Sequence, residues 1–145
     1  NQQKNYGYLS SIHFTNKLKD YPHSSLVGCG IDDEGYPILC MSDISLHTQN
    51  IKKNNKISLI IPKYGLKNQS EKRVTFTGNI NTTLDKNYNN ILKEKYLIQH
   101  PEAFWLKYID FNMYKLDDIK DIYYIGGFGK ATKISVKKYL ENYHI

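Results

Sequence analysis

The sequence predicts a mainly β protein with peripheral helices, an α+β chain whose six or seven antiparallel strands close, or partly close, into a barrel. Three observations carry this. The strand-like runs are mostly sequential and joined by short turns, which favours antiparallel pairing. A repeating strand–helix–strand alternation is absent, which argues against a doubly wound parallel sheet. With 145 residues the chain holds one core and has no comfortable room for two, so residues 1–145 read as a single domain. A barrel with helices at its rim is the economical solution, because closure removes exposed strand edges.

The elements follow in order. Tyr8–His13 is short and mixed, an edge or first strand. Asn16–Ser24 is polar, carries Tyr21-Pro22 and reads as a loop. Ser25–Asp32 and Tyr36–Ser42 are strand-like runs around Asp33-Glu34-Gly35, a hairpin signal. If that hairpin is symmetric about Glu34-Gly35, Ile31 faces Ile38, Cys29 faces Cys40 and Val27 faces Ser42. Gly28 and Gly30 then leave backbone open on the other face, as at a bulge or beside something flat. Ser42-Asp43 is placed to cap a helix running to about Lys53, with Ile44, Thr48 and Ile51 on one side.

Lys56–Pro62 (KISLIIP) is apolar enough for a buried strand, Tyr64–Glu71 is a polar loop, and Arg73–Ile80 alternates as a strand does. Leu84–Gln99 has helical spacing, with Tyr88, Ile91, Leu92, Tyr96 and Leu97 on the buried side. Pro101 can open a second short helix holding Phe104, Trp105 and Tyr108. Phe111–Leu116 and Ile119–Phe128 read as two further strands, and Ser135–Asn142 as a final helix.

Composition narrows the partners. The net charge of +6 and pI near 9.1 would suit a polyanion, but the lysines are scattered in pairs such as Lys17/Lys19 and Lys137/Lys138, without an Arg-rich arm or an aromatic–basic RNA signature. Nucleic acid is therefore not expected. No apolar run approaches the length of a membrane-spanning helix, so no membrane partner is expected. The two cysteines form neither a metal-ligand spacing nor a disulfide framework, which points to a reducing compartment such as cytoplasm. The five histidines show no metal-binding cluster in sequence, and no metal is expected. The chain begins at Asn1, so a targeting segment ahead of it is left open.

The informative unit is Tyr36–Ile61: a strand ending at Met41-Ser42, a helix from Asp43, and a strand from Lys56. A helix start gathers unpaired N–H groups and the positive end of the dipole, which suits a phosphate, with Ser42 and His47 at hand. The order of motifs resembles the pyridoxamine 5'-phosphate oxidase-like FMN-binding split β-barrels, closest to the haem-utilisation branch. The residues carrying the resemblance are Tyr21-Pro22-His23-Ser24-Ser25, Ser42-Asp43, His47-Thr48-Gln49-Asn50, Ser58-Leu59, Arg73-Val74-Thr75 with Gly78, His100-Pro101-Glu102-Ala103, Asp110-Phe111-Asn112-Met113-Tyr114, and Gly126-Gly127-Phe128-Gly129-Lys130-Ala131. They span nearly the whole chain.

The resemblance implies a homodimer with FMN at its interface. It implies a cofactor-binding set of Ser24, Ser25, Met41, Ser42, His47, Asn50 and Arg73, and gives Gly28 and Gly30 a reason in flat packing beside the cofactor. Some of the many aromatic side chains, which include Phe76, Phe104, Trp105 and Phe128, would then lie across the two-fold interface. The function so implied is a flavin-dependent oxidoreductase acting on a small molecule. The alternative is a non-catalytic flavin- or haem-binding regulatory dimer. Two features separate the chain from typical members: Leu46 and Gln49 stand where FMN binders often carry Arg or Lys, and the B6-binding side-chain set is missing, so pyridoxamine-phosphate oxidation is not expected. No obligatory acid or base stands out; His23, His47 and His100 are the titratable candidates.

Overall fold

A computed structural model describes residues 6–63, 71–103, 110–126 and 130–143. The strands are β1 (Tyr6–Ile12), β2 (Pro22–Ile31), β3 (Pro37–Ser42), β4 (Lys56–Pro62), β5 (Arg73–Asn81), β6 (Phe111–Ile125) and β7 (Ala131–Ile134); the helices are α1 (Leu46–Lys53), α2 (Lys86–Gln99) and α3 (Val136–Asn142). The sheet order is β3-β2-β1-β4-β5-β6-β7, and β3 also pairs with β6. Six antiparallel strands thus close into a barrel and β7 extends it beyond β6. The expected architecture is the observed one.

The interior follows strand alternation. Leu9, Val27, Cys29, Leu39, Leu59, Phe76, Ile80, Leu116 and Ile122 form its core, and Ile51 of α1 closes one end. A second cluster lies outside the barrel wall, where Leu92 and Tyr96 of α2 cover Ile38, Cys40 and Met113. Ile91, expected in that contact, is half exposed at its edge.

Several expectations are corrected. The hairpin register is Gly28↔Cys40, Cys29↔Leu39 and Gly30↔Ile38, one residue from the expected pairing. The turn closes about Glu34 alone, because Asp32 Oδ1 accepts both Glu34 N–H and Tyr36 N–H and Gly35 takes φ +97°. A one-residue slip sends side chains to opposite faces: Cys29 points into the barrel and Cys40 into the α2 cluster, so the two thiols do not face each other. The space opposite Gly28 is filled by the Tyr96 hydroxyl, with which a Cβ there would collide. Its open backbone therefore serves α2 packing.

Asn16–Ser24 is only partly loop, since β2 begins at Pro22. The two expected late strands are one: β6 runs through Asp117-Asp118 because both carboxylates face outward and because Gly78, lacking a side chain, admits the Asp118 carbonyl at a register shift. β7 had no sequence signal strong enough to mark it. Phe76 is 2% exposed in the core, which excludes it from any dimer contact. Tyr64–Ser70, Phe104, Trp105, Tyr108 and Phe128 lie outside the described residues.

Candidate functional site

α1 and the adjoining ends of β1 and β2 build a partly buried polar region. In β1, Ser11 and His13 share the inward face. Ser11 sits directly opposite His23 of β2, and the bond from His13 N–H to the Tyr21 carbonyl (2.9 Å) continues the ladder by one step. His13 and His23 are thus diagonal neighbours on one face, and their rings meet edge to face with centroids 5.0 Å apart. α1 crosses this end. Its Asn50 is fully buried and donates to Ser11 Oγ at 3.1 Å. His47, one turn earlier, comes within electrostatic reach of His23. Burial first, and His23 second, lower its pKa from the ordinary imidazole value, so it is neutral at neutral pH.

Two buried polar atoms here have no hydrogen-bond partner, Asn50 Oδ1 and Ser25 Oγ. Such atoms are costly in a protein interior and mark places where a water or a bound group completes the structure. Large apolar side chains flank the histidines along the chain and are exposed: Phe14, Leu18 and Tyr21 around His13 and His23, and Ile44 (79% exposed) and Leu46 before His47. Exposed apolar side chains next to half-buried imidazoles in the chain suit a flat, mostly apolar ligand. Among the described residues, no three His, Cys, Asp or Glu side chains converge as bare metal-ion ligands, so the histidines do not form a simple metal site.

The structure brings Ser25, His47 and Asn50 of the expected set to this end of the barrel. Ser24 is exposed on the outer face beside them. Ser42 is adjacent, because its carbonyl accepts from Thr48 Oγ1 at 2.6 Å. Met41 is 1% exposed within the barrel core. Arg73 is elsewhere: it pairs with Pro62, at the far end of β4 from α1, and its guanidinium donates to the Glu71 carbonyl.

The expected cap at Ser42-Asp43 is corrected as well. α1 starts three residues later, with Ser45 at the N-cap position and without a side-chain cap bond. Asp43 instead turns inward and accepts from Asn112 Nδ2 (2.6 Å) and Tyr114 Oη (2.7 Å) of β6, which locks the β3–α1 corner to the barrel wall. His100 is no part of the site; it is buried under α2, stacked on Tyr96 at 4.4 Å with Nδ1 3.5 Å from Glu102. Sequence reading missed Ser11 and His13. The register of β1 against β2 was the signal that would have placed them beside His23.

The family model described as CREG, beta-barrel matches residues 1–141. The chain is 31% identical over 125 residues to the non-canonical heme oxygenase HOZ, chloroplastic, of Arabidopsis thaliana, covering 86% of this chain and 37% of that protein; it thus spans little more than a third of that relative. Among solved structures, a heme binding protein from Mycobacterium smegmatis superposes with TM-score 0.75 at 22% identity, covering 96% of this chain and 56% of the other. HutZ, the heme storage protein from Vibrio cholerae, superposes with TM-score 0.64 at 18% identity, covering 87% and 89%. At these identities the superpositions establish the shared split-barrel fold.

Proposed function

We propose that this chain, which belongs to the CREG beta-barrel family, binds haem at the histidine-bearing end of its barrel. The observation that carries the reading is the meeting of His13, His23 and His47 beside exposed apolar side chains, in a chain similar to a heme oxygenase. Haem needs a neutral imidazole for its iron, apolar surface for its ring and cations for its carboxylates. His47 is held neutral, Phe14, Tyr21 and Leu46 supply apolar contact, and Lys17 and Lys19 stand in the same β1–β2 loop as Phe14. Bound there, haem would supply iron and a conjugated ring for redox chemistry. The chain's own part is to present the imidazoles from β1, β2 and α1, with the Asn50–Ser11 bond fastening α1 over this end of the barrel.

FMN is the second reading, favoured by the first turn of α1, which Ser45 leaves uncapped next to Ser42 and His47. An anion fits there, with the partnerless Ser25 and Asn50 atoms available to a polar ligand. In that case the chain is a flavin-dependent oxidoreductase.

The homodimer belongs to the same proposal. A lateral row on the outer sheet face joins Leu26, Tyr8, Ile60, Thr75 and Tyr123 through paired register. Leu26 is 60% exposed and Tyr8 43%, so a two-fold contact there would bury apolar surface that a lone copy leaves wet. Incubating purified protein with equimolar hemin and FMN, desalting it and identifying the retained molecule by mass spectrometry separates the readings. Retained haem supports the first, retained FMN the second, and retention of neither removes both.

A further inference from the structure

Where β5 parts from β6, the barrel wall opens into a polar cavity. The two strands stay paired as far as Asn81 and Lys115, and the chain then leaves through Thr82 to enter α2. The stretch of β6 left without a strand partner on that side is closed by a side chain. Asn89 of α2 donates through Nδ2 to the Met113 carbonyl (3.1 Å) and accepts the Met113 N–H (3.3 Å). An open cavity of about 320 Å³ lies here, bounded by the departing chain, the start of α2, β6 and the end of α1. Asn112 and Tyr114, two apart in β6 and so on one face, hold the Asp43 carboxylate at its wall through one hydrogen bond to each oxygen. A carboxylate has about four lone-pair sites, so each Asp43 oxygen can accept once more. Lys52 and Lys86 also line the cavity, and neither forms an ion pair among the described residues. The side chains of Thr82 and Asn90, on the same lining, make no hydrogen bond among the described residues.

We infer that this cavity is a second ligand site and that it binds a sugar phosphate. Lys52 and Lys86 outweigh Asp43, the cavity's one carboxylate among the described residues, so an anionic group is favoured. Asp43 repels an anion, so the part of the ligand that meets it must carry donors. Sugar hydroxyls are neutral donors, and they also accept from the Asn90 and Asn112 amides and the Thr82 hydroxyl. The carboxylate and amides thus suit the sugar ring, and the lysines suit the phosphate. The volume lies at the low end of the usual range for small-molecule sites, about 300–1,000 Å³. β6 stands opposite β1 in the closed ring of six strands, and His13, His23 and His47 do not line the cavity. The inference stands whichever cofactor those histidines bind.

The probe is glucose 6-phosphate, with glucose and inorganic phosphate as its two halves. Each is titrated into the full chain and followed by calorimetry and by amide chemical shifts. The expected result is glucose 6-phosphate binding with shifts centred on Lys52, Thr82, Lys86 and Asn112. Each half alone should bind more weakly by about tenfold or more, the scale of one lost charge-assisted contact. The Lys52→Gln/Lys86→Gln double variant, changed at two exposed positions, should weaken glucose 6-phosphate by a similar factor with Tm unchanged. Asn90→Leu should weaken glucose 6-phosphate and leave inorganic phosphate as it was. Either half binding as tightly as the whole, shifts centred on Ser42 and His47, variants that bind like the parent, or no binding of glucose 6-phosphate at millimolar concentration would overturn the inference.

Discussion

Lys115 offers the most quantitative test of the packing. It is 8% exposed on β6, yet charged. Its Nζ lies 2.9 Å from Asp32 Oδ2 and 3.0 Å from Tyr88 Oη, with the Tyr36 ring centroid at 4.7 Å. Burial alone would lower its pKa, but the hydrogen bonds and charge of Tyr88 and Asp32 outweigh that and raise it. The contact ties the β2–β3 turn, α2 and β6 together. Lys115→Met leaves the Asp32 carboxylate buried without its counter-ion, which costs about 3–5 kcal/mol. For a chain near 150 residues that lowers Tm by roughly 6–20 °C. In Lys115→Met/Asp32→Asn the uncompensated charge is gone, while the amide oxygen still accepts the Glu34 and Tyr36 N–H groups, so the double variant should recover about 1–3 kcal/mol of the loss. The raised pKa gives stability that is present below the unfolded value of 10.5 and lost as pH rises above it. The Met variant should therefore lose less stability at alkaline pH than the parent. Urea unfolding followed by circular dichroism measures both effects. A loss under about 1 kcal/mol for the single variant, or a double variant less stable than the single, would refute the reasoning.

Burial pushes both thiols up to about 12, with Lys93 opposing weakly at Cys40. Neither should react with iodoacetamide at pH 8 in the folded protein, and both should on unfolding, as read by mass spectrometry. Gly28→Ala drives a Cβ into the Tyr96 hydroxyl and should cost about 1–3 kcal/mol in thermal unfolding; adding Tyr96→Phe should return part of it. Tyr114→Phe removes the O–H that Asp43 accepts and should cost about 1.5–3 kcal/mol by denaturant titration. Haem affinity, if His47 is a ligand, should fall as pH drops below the ordinary imidazole value of 6.5, because protonation removes the donor pair; hemin titrations at several pH values read this directly.

The barrel was legible because its strands alternate cleanly. Lys56–Pro62 was bounded to the residue, and Arg73–Asn81 to within one. Register was not legible, because the symmetry of a three-residue turn depends on which N–H groups Asp32 accepts, a side-chain choice that leaves no periodic trace. The break expected inside β6 arose from Asp117-Asp118, which reads as a turn until Gly78 is seen to accommodate it. Of the candidate site, His47, Asn50 and Ser25 were singled out through motif order. His13 and Ser11 were missed because they come together with His23 only through cross-strand pairing. The cap at Ser42-Asp43 was misplaced because Asp43 has stronger partners in Asn112 and Tyr114, far away in sequence.

The central claim is that histidines at the α1 end bind haem. Titrating hemin into the parent and into His13→Ala, His23→Ala and His47→Ala, with the Soret band recorded at each step, tests it most directly. The account predicts a saturable red-shifted Soret band for the parent and, in at least one variant, loss of that shift with affinity at least about tenfold weaker, the scale of a lost metal ligand's support. An unchanged Soret band and affinity in all three variants would contradict it.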